Sequence, residues 1–426
     1  MFGQYIERSI EKVLEKTKKV YPVIMITGPR QVGKTTLLSM SNMDKNITYV
    51  TLDDMKLRGL AEEDPELFLK TYGTPIIIDE FQYAPNLLSY IKIIVDKKRL
   101  ENLKENKSTV EETLFYLTGS QVFHTMKNIS ESLAGRVGIL DLYGLTTREL
   151  NKKEERLFVP SIDELKKREK VEQYSVKDLY ERILKGSFPE LYKNKEMEVE
   201  TYFSSYIRTY IERDIRELIS VKDENKFMRF ITSLAARTGA ELNITDIANS
   251  VDITNPTAEN WVSILENTGL IYLLKPYFNN DIKRAIKRPK IYFLDTGLAS
   301  YLVGYTNAEI LEKSAYSGAI FETYIISEII KNYTNNGLDA KKYLFYFRDS
   351  NMKEIDLIMI YNNVLYPIEI KKTTNPSKKS IKNFDVVDKL VDKIGGMEKG
   401  TGTVICMTDD IFPIDSENYQ VPIEII

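Results

Sequence analysis

A glycine-rich segment near the amino terminus constrains the fold of this chain more than any other feature. The segment GPRQVGKTT, residues 28–36, follows the apolar run YPVIMITG and precedes the helical LLSMS. It fits the pattern G-x-x-x-x-G-K-[S/T], in which a loop between a strand and a helix surrounds phosphate groups with backbone amides. The sequence therefore predicts a P-loop, the phosphate-binding loop of an α/β nucleotide-binding domain.

The positions of this loop have distinct chemical roles. Gly28 and Gly33 let the backbone turn its amides towards phosphate. Lys34 is expected to reach the β- and γ-phosphates, and Thr35 is expected to ligate magnesium at the positive end of the helix. Arg30 could equally well face solvent. We expect ATP and Mg²⁺ as cofactors, with the nucleotide bound by Gly28, Pro29, Arg30, Gln31, Val32, Gly33, Lys34, Thr35 and Thr36.

An acidic pair ends another apolar run, PIIIDEFQ, where Asp79 and Glu80 stand at the carboxyl end of a predicted strand. A P-loop needs an acidic residue from a neighbouring strand to hold magnesium, and Asp79 has that position. Hydrolysis also needs a group that positions or activates water, whereas simple binding does not, and Glu80 is the candidate. Adjacent carboxylates therefore favour ATP hydrolysis over passive binding.

Periodicity divides the chain into four predicted domains. Short apolar strands alternate with helices in the first domain, which indicates a parallel sheet covered on both faces. A helical, Lys- and Glu-rich region follows, then three helices with a strand-like IYLLKPYF, which predicts a helix-turn-helix plus wing. A last α/β segment is predicted to begin with the strand KIYFLDTG. The predicted boundaries are 1–150 for the P-loop core, 151–225 for a linker and helical lid, 226–278 for the winged helix and 279–426 for the last segment.

The P-loop together with the strand-end carboxylates resembles the AAA-plus ATPases. YLTGS at 116–120 is similar to their sensor-1 strand, which implies that Ser120, with Gln121, contacts the γ-phosphate or the attacking water. A simple strand end is the alternative. SLAGRVGILDLYGLTTREL and YIERDIREL extend the likeness, over nearly the whole chain, to prokaryotic AAA-plus ATPases with an uncharacterised C-terminal domain of the PD-(D/E)xK nuclease-like fold. The implied fold class is α/β, with a restriction-endonuclease-like C-terminal domain.

The resemblance also implies an arginine that completes the ATPase site, supplied by the same chain or by a neighbouring subunit. Arg136 is the first candidate, and Arg213 or Arg216 is the second. The structural alternative is that these arginines pair with local carboxylates on helix surfaces. An arginine from a neighbour would require a homo-oligomer.

The winged-helix region offers a possible contact with nucleic acid. Its last helix, NPTAENWVSILENTG, has polar residues but no arginine or lysine, which weakens a DNA-reading role and leaves a lid or docking surface open. Trp261 has the spacing of a core residue. The basic run DIKRAIKRPK is the better phosphate-binding candidate, through Lys283, Arg284, Lys287, Arg288 and Lys290, with a solvated loop as the alternative.

The last segment has acidic residues in the order of a metal-dependent nuclease site. Such a site needs several carboxylates around one or two hard cations. Asp356 lies in KEIDLIM, and Glu369 and Lys371 share one face of the strand YPIEIKK. The nuclease-like fold implies catalytic roles for Asp356, Glu369 and Lys371, and metal ligation by Glu322, Asp356 and Glu369. A degenerate, structural copy of the fold is the alternative.

The composition of the chain bears on its cellular location and on its possible partners. The chain of 426 residues has 59 basic and 62 acidic side chains, so no global field attracts nucleic acid or membrane. One cysteine, Cys406, excludes an intrachain disulfide, and the first residues, with charges at helical spacing, predict a helix rather than a signal peptide, while no apolar stretch reaches membrane-spanning length. We expect a cytoplasmic protein without a membrane partner. It acts on nucleic acid, DNA rather than RNA, or is an ATP-dependent regulator or scaffold with a silent nuclease fold.

Overall fold

The computed structural model describes residues 5–43, 46–107, 112–119, 132–172, 175–209, 224–277 and 288–426. The chain forms two compact units. The first contains residues 7–143 with 267–269, and the second contains 144–266 and 270–426 with the segment before residue 7. The first unit ends close to the predicted boundary at 150. The predicted domains after that boundary lie in a single unit, and their separation at 225 and 278 stays a prediction.

Five parallel strands form the sheet of the first unit, where the apolar runs predicted them. All residues of the interior strand β1 are buried, because both faces of the sheet are covered. The strands are β1 (Val23–Thr27), β2 (Thr48–Thr51), β3 (Ile76–Asp79), β4 (Phe115–Thr118) and β5 (Val137–Asp141). The helices are α1 (Glu11–Lys18), α2 (Lys34–Met40), α3 (Met55–Glu63), α4 (Pro65–Tyr72) and α5 (Leu87–Lys104).

The strand order β2-β3-β4-β1-β5 positions the predicted ATP site. Because the strands are parallel, their carboxyl ends meet at one edge of the sheet. In register, Ile26 lies beside Thr118, and Thr27 lies beside Asp141. The P-loop, which follows β1, therefore begins next to the end of β4, with the end of β3 one strand further along.

Helices dominate the first half of the second unit. Three of them are followed by two antiparallel strands, and the assignment of this segment as a winged helix stays a prediction. The helices are α6 (Thr147–Leu150), α7 (Ile162–Leu165), α8 (Val176–Lys185), α9 (Glu190–Lys193), α10 (Val199–Tyr206), α11 (Glu224–Ala235), α12 (Ile244–Val251), α13 (Asn255–Asn267), α14 (Thr296–Val303), α15 (Ala308–Lys313), α16 (Ser317–Asn335) and α17 (Asp385–Ile394). Trp261 is buried against Phe227 and Phe230, as its spacing predicted.

One strand pairs across a predicted boundary. Strand β6 (Ile271–Leu274) pairs antiparallel with β7 (Lys290–Phe293), with Ile271 opposite Phe293. The sequence predicts β7, the core of KIYFLDTG, as part of the last α/β segment. Backbone hydrogen bonds join β7 to β6 across the predicted boundary at 278, and the position of that boundary stays a prediction. Glu241 extends this small sheet through a bridge to Lys290.

The last part of the second unit is a mixed sheet of order β13-β14-β12-β10-β9-β8, with β11 paired to β10. Strands β8, β9 and β10 are antiparallel neighbours, whereas β12 is parallel to β10. The strands are β8 (Leu344–Arg348), β9 (Glu354–Tyr361), β10 (Val364–Ile370), β11 (Glu398–Lys399), β12 (Gly402–Cys406), β13 (Phe412–Pro413) and β14 (Asn418–Pro422). Among the described residues, no helix combines the length and apolar character needed to cross a membrane.

Candidate active sites

The backbone of the P-loop has the conformation that the glycine pattern predicted. Gly28 has φ 132°, and a Cβ atom added there would lie 2.0 Å from the carbonyl oxygen of Leu142. Gly33 has φ 92° and immediately precedes α2. Other residues would be strained at both positions. The free amides at the start of α2 therefore lie where a loop can surround phosphate.

Lys34 is buried within this loop. Its ammonium donates hydrogen bonds to the carbonyl oxygens of Gly28, at 3.0 Å, and Pro29, at 2.8 Å. Burial lowers the pKa of Lys34 to about 8, although the nearby Glu80 and Asp79 carboxylates oppose the shift. Lys34 is thus mostly charged at neutral pH, and phosphate oxygens could replace the loop carbonyls as acceptors.

Asp79 is the centre of a hydrogen-bond network at the end of β3. Its Oδ2 accepts hydrogen bonds from the Thr35 hydroxyl, at 3.0 Å, and the Tyr49 hydroxyl, at 2.9 Å. Thr118, at the end of β4, donates to Oδ1. Burial and the Asp79 charge raise the pKa of Tyr49 to about 12. A hydroxyl and a carboxylate that meet at the start of a helix are hard oxygen donors, which fit Mg²⁺.

Glu80 follows directly, with an unusual backbone conformation of φ 51°. A residue other than glycine seldom adopts this left-handed region unless its surroundings hold it there. Gln82 donates to Glu80 Oε2, and the Arg30 guanidinium lies 3.9 Å from Oε1. Arg30 therefore contacts Glu80, and the side chain of Glu80 is held from two sides.

Sequence reasoning missed several residues of this site: Arg8, Tyr49, Gln82 and Thr118. Arg8 is buried and donates to the carbonyl oxygens of Val32, at 2.9 Å, and Tyr143, at 2.8 Å. Arg8 therefore stabilises the backbone of the P-loop through its hydrogen bond to the Val32 carbonyl. No sequence signal could have revealed this contact, because backbone carbonyls accept hydrogen bonds whatever their side chains.

Arg136 lies at the opposite edge of the sheet from the P-loop. The Arg136 carbonyl accepts a hydrogen bond from the backbone N–H of Val23, the first residue of β1. The P-loop instead follows Thr27, the last residue of β1. The length of β1 separates the two positions by roughly 16 Å. Its guanidinium forms a double hydrogen bond with Asp96, at 2.6 and 2.9 Å. The expectation that Arg136 could complete the site of its own chain is wrong, and a role towards a neighbour stays a prediction.

Other candidates for the ATP site lie outside the described residues: Ser120, Gln121, Arg213 and Arg216. Their predicted roles stay predictions.

The second unit brings together all the predicted residues of the C-terminal site. Lys371 Nζ lies 2.7 Å from Glu369 Oε1 and 3.3 Å from Asp356 Oδ2. Asp356 also accepts a hydrogen bond from the backbone N–H of Ile370, at 2.9 Å. Glu322, on α16, is close enough for the Asp356 carboxylate to affect its ionisation. The antiparallel pairing of β9 and β10 creates this meeting, because it puts Asp356 next to Glu369.

Burial raises the pKa of two carboxylates of this cluster, and one of their oxygens accepts no hydrogen bond from the described residues. Burial and the charge of Asp356 raise the pKa of Glu322 and of Glu369 to about 7. Glu369 is 9% exposed, and its Oε2 has no hydrogen-bond partner among the described residues. A buried oxygen without a donor is costly, which indicates that the site could accept a further cation or donor.

Lys290 is a residue of this cluster that sequence reasoning assigned elsewhere. It is 3% exposed, and its ammonium lies 2.6 Å from Glu354 Oε1 and 3.4 Å from Glu322 Oε1. Tyr292 donates to the same Glu322 oxygen, at 2.6 Å. The predicted contact of Lys290 with a nucleic-acid backbone is wrong, because the side chain is buried among carboxylates. Lys283, Arg284 and Lys287 of the same run lie outside the described residues.

The described side chains do not form a ready metal centre. In the part of the chain that the structure describes, no three His, Cys, Asp or Glu side chains are disposed to hold a metal ion together. Two lysines already contact the three carboxylates, and Tyr292 binds one of them. In this arrangement Glu322, Asp356 and Glu369 therefore do not fit a shared metal ion, so their predicted metal role requires a rearrangement.

Three family models match parts of the chain. Residues 20–151 match the family described as an AAA domain, and this match includes the P-loop, Asp79 and Glu80. Residues 176–309 match a domain of unknown function, DUF8612, and residues 317–426 match another, DUF4143. Neither of the last two descriptions names a winged helix or a nuclease, so both of those assignments stay predictions.

Similar proteins exist in bacteria and archaea. An uncharacterized protein of Mycobacterium tuberculosis is 29% identical over 359 residues, which cover 84% of this chain and 71% of that protein. One of Methanocaldococcus jannaschii is 26% identical over 326 residues, 70% of this chain and 65% of that protein. The solved structure of a Walker-type ATPase of Pyrococcus abyssi matches at 14% identity and TM-score 0.43, over 70% of this chain and 96% of that one.

Proposed function

We propose that this chain, in which residues 20–151 are an AAA-type domain that binds and hydrolyses ATP, uses magnesium for hydrolysis and acts on nucleic acid through its second unit. The meeting of Thr35 with Asp79, beside Lys34 and Glu80, carries the magnesium part of this proposal. The proposed nucleic acid is DNA rather than RNA, and cleavage assays that compare the two substrates test this choice. The proposed location is the cytoplasm, where a single cysteine stays reduced.

Different residues of the first unit would have different roles in ATP hydrolysis. Lys34 would neutralise the β- and γ-phosphates as an ammonium. Thr35 and Asp79 would hold magnesium, which supplies further charge neutralisation at the transferring phosphate. Glu80, fixed by Gln82 and Arg30, would orient the attacking water and accept its proton. Ser120 is proposed to contact the γ-phosphate.

We propose a homo-oligomer in which Arg136 acts on the ATP of a neighbouring subunit. Its distance from the P-loop of its own chain supports this arrangement. The ion pair with Asp96 is no obstacle, because the two side chains are 23% and 38% exposed. Partly exposed pairs of this kind contribute only about 0–1 kcal/mol and exchange readily.

Mixing two inactive variants tests the neighbour role. Lys34→Ala removes the phosphate contact, and Arg136→Ala is expected to lower turnover by at least about a hundredfold, because such arginines contribute 10³–10⁵. A mixture should regain turnover that neither variant has, measured as phosphate release. Asp96→Asn is the control, since it breaks the ion pair but keeps Arg136 and should retain turnover. An inactive mixture of folded, co-assembled variants would contradict the neighbour role.

Of two candidate surfaces of the second unit, one supports a nucleic-acid partner through its positive charge and the other lacks basic residues. The chain after β10 has exposed lysines at 378, 379 and 382, which could contact phosphates near the carboxylate cluster. Helix α13 exposes Asn255, Glu259, Asn260 and Ser263 but no basic residue. The lysine segment is therefore the stronger candidate for backbone contact.

We propose that the C-terminal cluster is a nuclease-like site. The order of elements, with α16 before β8, β9 and β10 and then α17 and β12, supports this, as does the meeting of Asp356, Glu369 and Lys371. Lys371 would stabilise charge on the phosphate, and the carboxylates would provide the acidic groups of the site.

Cleavage assays with the full chain test this proposal. We expect nicking or degradation of linear, circular or single-stranded DNA in Mg²⁺ or Mn²⁺, with RNA as the comparison substrate. Asp356→Ala and Glu369→Ala should each abolish cleavage and leave ATPase turnover unchanged, because neither residue belongs to the ATP site. Asp385→Ala, an exposed carboxylate of α17, is the matched control and should cleave normally. Cleavage that survives both cluster variants would contradict the assignment.

A second candidate function is an ATP-dependent regulator or scaffold with a silent nuclease fold. The contacts of Lys290 and Lys371 favour it, because they neutralise carboxylates that a metal would otherwise bind. An absence of cleavage on every substrate, with intact ATPase turnover, would support this alternative.

A further inference from the structure

The P-loop contacts a segment that is far away in the sequence, the turn of residues 267–269 between α13 and β6. These three residues belong to the first unit, whereas the chain on both sides of them belongs to the second. A Cβ atom added at Gly269 would lie 3.0 Å from Cδ and 3.1 Å from Cγ of Pro29, and 3.2 Å from Cε1 of Tyr143. The backbone of the turn therefore packs directly against the P-loop.

The end of α13 fixes the conformation of this turn. Gly269 has φ 72°, in the left-handed region, and the N–H of Leu270 donates a hydrogen bond to the carbonyl of Leu265, at 3.0 Å. A left-handed glycine with a hydrogen bond of this span is the Schellman motif that ends many helices. Glycine is thus favoured at 269 for two reasons, its φ angle and its close approach to Pro29.

We infer that Gly269 is a positioning residue of the ATP site, which sets the position of Pro29 in the P-loop and so increases the affinity for the phosphates of ATP. This inference rests on the ATP-binding part of the proposed function and is independent of the nuclease-like site. The Pro29 carbonyl accepts a hydrogen bond from the Lys34 ammonium, at 2.8 Å. A displacement of Pro29 therefore also displaces an acceptor that holds Lys34.

Tyr143 supports the same contact from the end of β5. Its carbonyl accepts a hydrogen bond from Arg8, at 2.8 Å, and Arg8 also donates to the carbonyl of Val32 in the P-loop, at 2.9 Å. Gly269 thus approaches Pro29, which is part of the loop, and Tyr143, which Arg8 connects to the loop. Because protein interiors are close-packed, a methyl group added at 269 has to shift these neighbours.

The contact between the turn and the P-loop acts in both directions. Since the turn stabilises the loop conformation that binds phosphate, ATP stabilises the turn by the same free energy. The chain continues from the turn into α13 on one side and β6 on the other. ATP binding is therefore linked through the backbone to these two elements. Couplings of this kind commonly change affinity by about 5–150-fold.

The first test compares Gly269→Ala with Gly304→Ala in the full chain, by isothermal titration calorimetry with ATP. Gly304 also ends a helix, α14, with φ 93°, but a Cβ atom there would meet no atom of the described residues within 4 Å. Both substitutions strain the backbone, whereas only Gly269→Ala displaces Pro29. We expect Gly269→Ala to weaken ATP affinity by at least about fivefold and Gly304→Ala to change it by less than about twofold.

A double-mutant cycle assigns the effect to the contact itself. Pro29→Ala removes the two ring atoms that would lie closest to the added methyl group. Gly269→Ala should therefore weaken ATP binding less in the Pro29→Ala protein than in the unaltered protein, by at least about twofold. A purely structural role of Gly269 at the end of α13 would lower the melting temperature but leave ATP affinity unchanged.

Hydrogen exchange of the unaltered protein provides a measurement that does not depend on a folded variant. With a non-hydrolysable ATP analogue and Mg²⁺, the backbone amides of residues 268–272 should exchange at least about threefold more slowly, measured by peptide mass spectrometry. A peptide that contains Gly304 is the internal control and should exchange at an unchanged rate. If Gly269→Ala does not fold, the exchange measurement alone decides.

The outcomes separate this inference from the function on which it rests. If the unaltered protein binds ATP, but Gly269→Ala binds it equally well and exchange of the turn does not respond, the inference is overturned and ATP binding stands. Equal weakening by Gly304→Ala would also overturn the inference, because backbone strain would then explain the effect. If the unaltered protein binds no ATP, the proposed function fails and the inference fails with it.

Discussion

Replacing Lys34 with alanine is expected to abolish nucleotide binding and, with it, ATP hydrolysis. The Lys34 ammonium is buried inside the P-loop and lies within hydrogen-bond distance of the carbonyls of Gly28 and Pro29. No other described ammonium lies inside this loop, so the β- and γ-phosphates would lose their charged partner. Loss of one partner of a buried charge pair costs about 2–5 kcal/mol, so we expect affinity to fall at least about thirtyfold. Isothermal titration calorimetry with ATP measures the effect.

The control for this variant is Lys70→Ala. Lys70 is an exposed lysine of α4 in the same unit, where it pairs with Glu66 at 2.7 Å. The substitution is chemically identical but lies away from the P-loop, so ATP affinity should be unchanged. A Lys34→Ala protein that is folded, by its thermal melting curve, and still binds ATP normally would contradict the assigned phosphate contact.

Replacing Glu80 with glutamine is expected to separate binding from hydrolysis. Glutamine keeps the size of the side chain and can still accept a hydrogen bond from Gln82, but it cannot take a proton from water. Loss of a general base commonly lowers rates by about 10²–10⁴, so turnover should fall by at least about a hundredfold while ATP affinity stays within about threefold. Calorimetry and phosphate release on the same sample measure both quantities.

Glu66→Gln is the corresponding control, because Glu66 is exposed and pairs only with Lys70 in the described structure. Its turnover should match that of the unaltered protein. Unchanged turnover in Glu80→Gln would remove Glu80 from the mechanism. Loss of ATP binding in Glu80→Gln would show instead that its carboxylate supports the P-loop through Arg30.

The ATP site could be predicted in large part because its signals are local. The loop glycines, Lys34 and Thr35 lie within eight consecutive positions of one strand-loop-helix segment. The strand that ends at Asp79 was visible as an apolar run. Arg8, Tyr49 and Thr118 could not be predicted, since they reach the site through pairing of distant segments and through backbone acceptors.

The C-terminal cluster also depends on contacts between distant segments that the sequence does not reveal. The order of elements along the chain predicts that Glu322, Asp356, Glu369 and Lys371 lie near one another, and in the structure Lys371 contacts Asp356 and Glu369. The same order misplaced Lys290, which looked like part of a basic loop and is instead buried against Glu322 and Glu354. Composition around a lysine does not indicate whether it faces solvent or carboxylates, because burial is a property of the packed elements and not of the segment.

The sequence by itself determined the phosphate-binding chemistry, because a P-loop depends on residue types at fixed spacing within one short segment. It also indicated that Glu369 and Lys371 share one face of their strand, since alternation along a strand sets which face a side chain occupies. Only the tertiary structure decided that Arg136 lies far from its own P-loop and that β7 pairs with β6, which brings Lys290 into the carboxylate cluster. Those outcomes depend on strand pairing between distant segments, and long-range hydrogen bonds and burial leave no pattern within any one of the segments that they join.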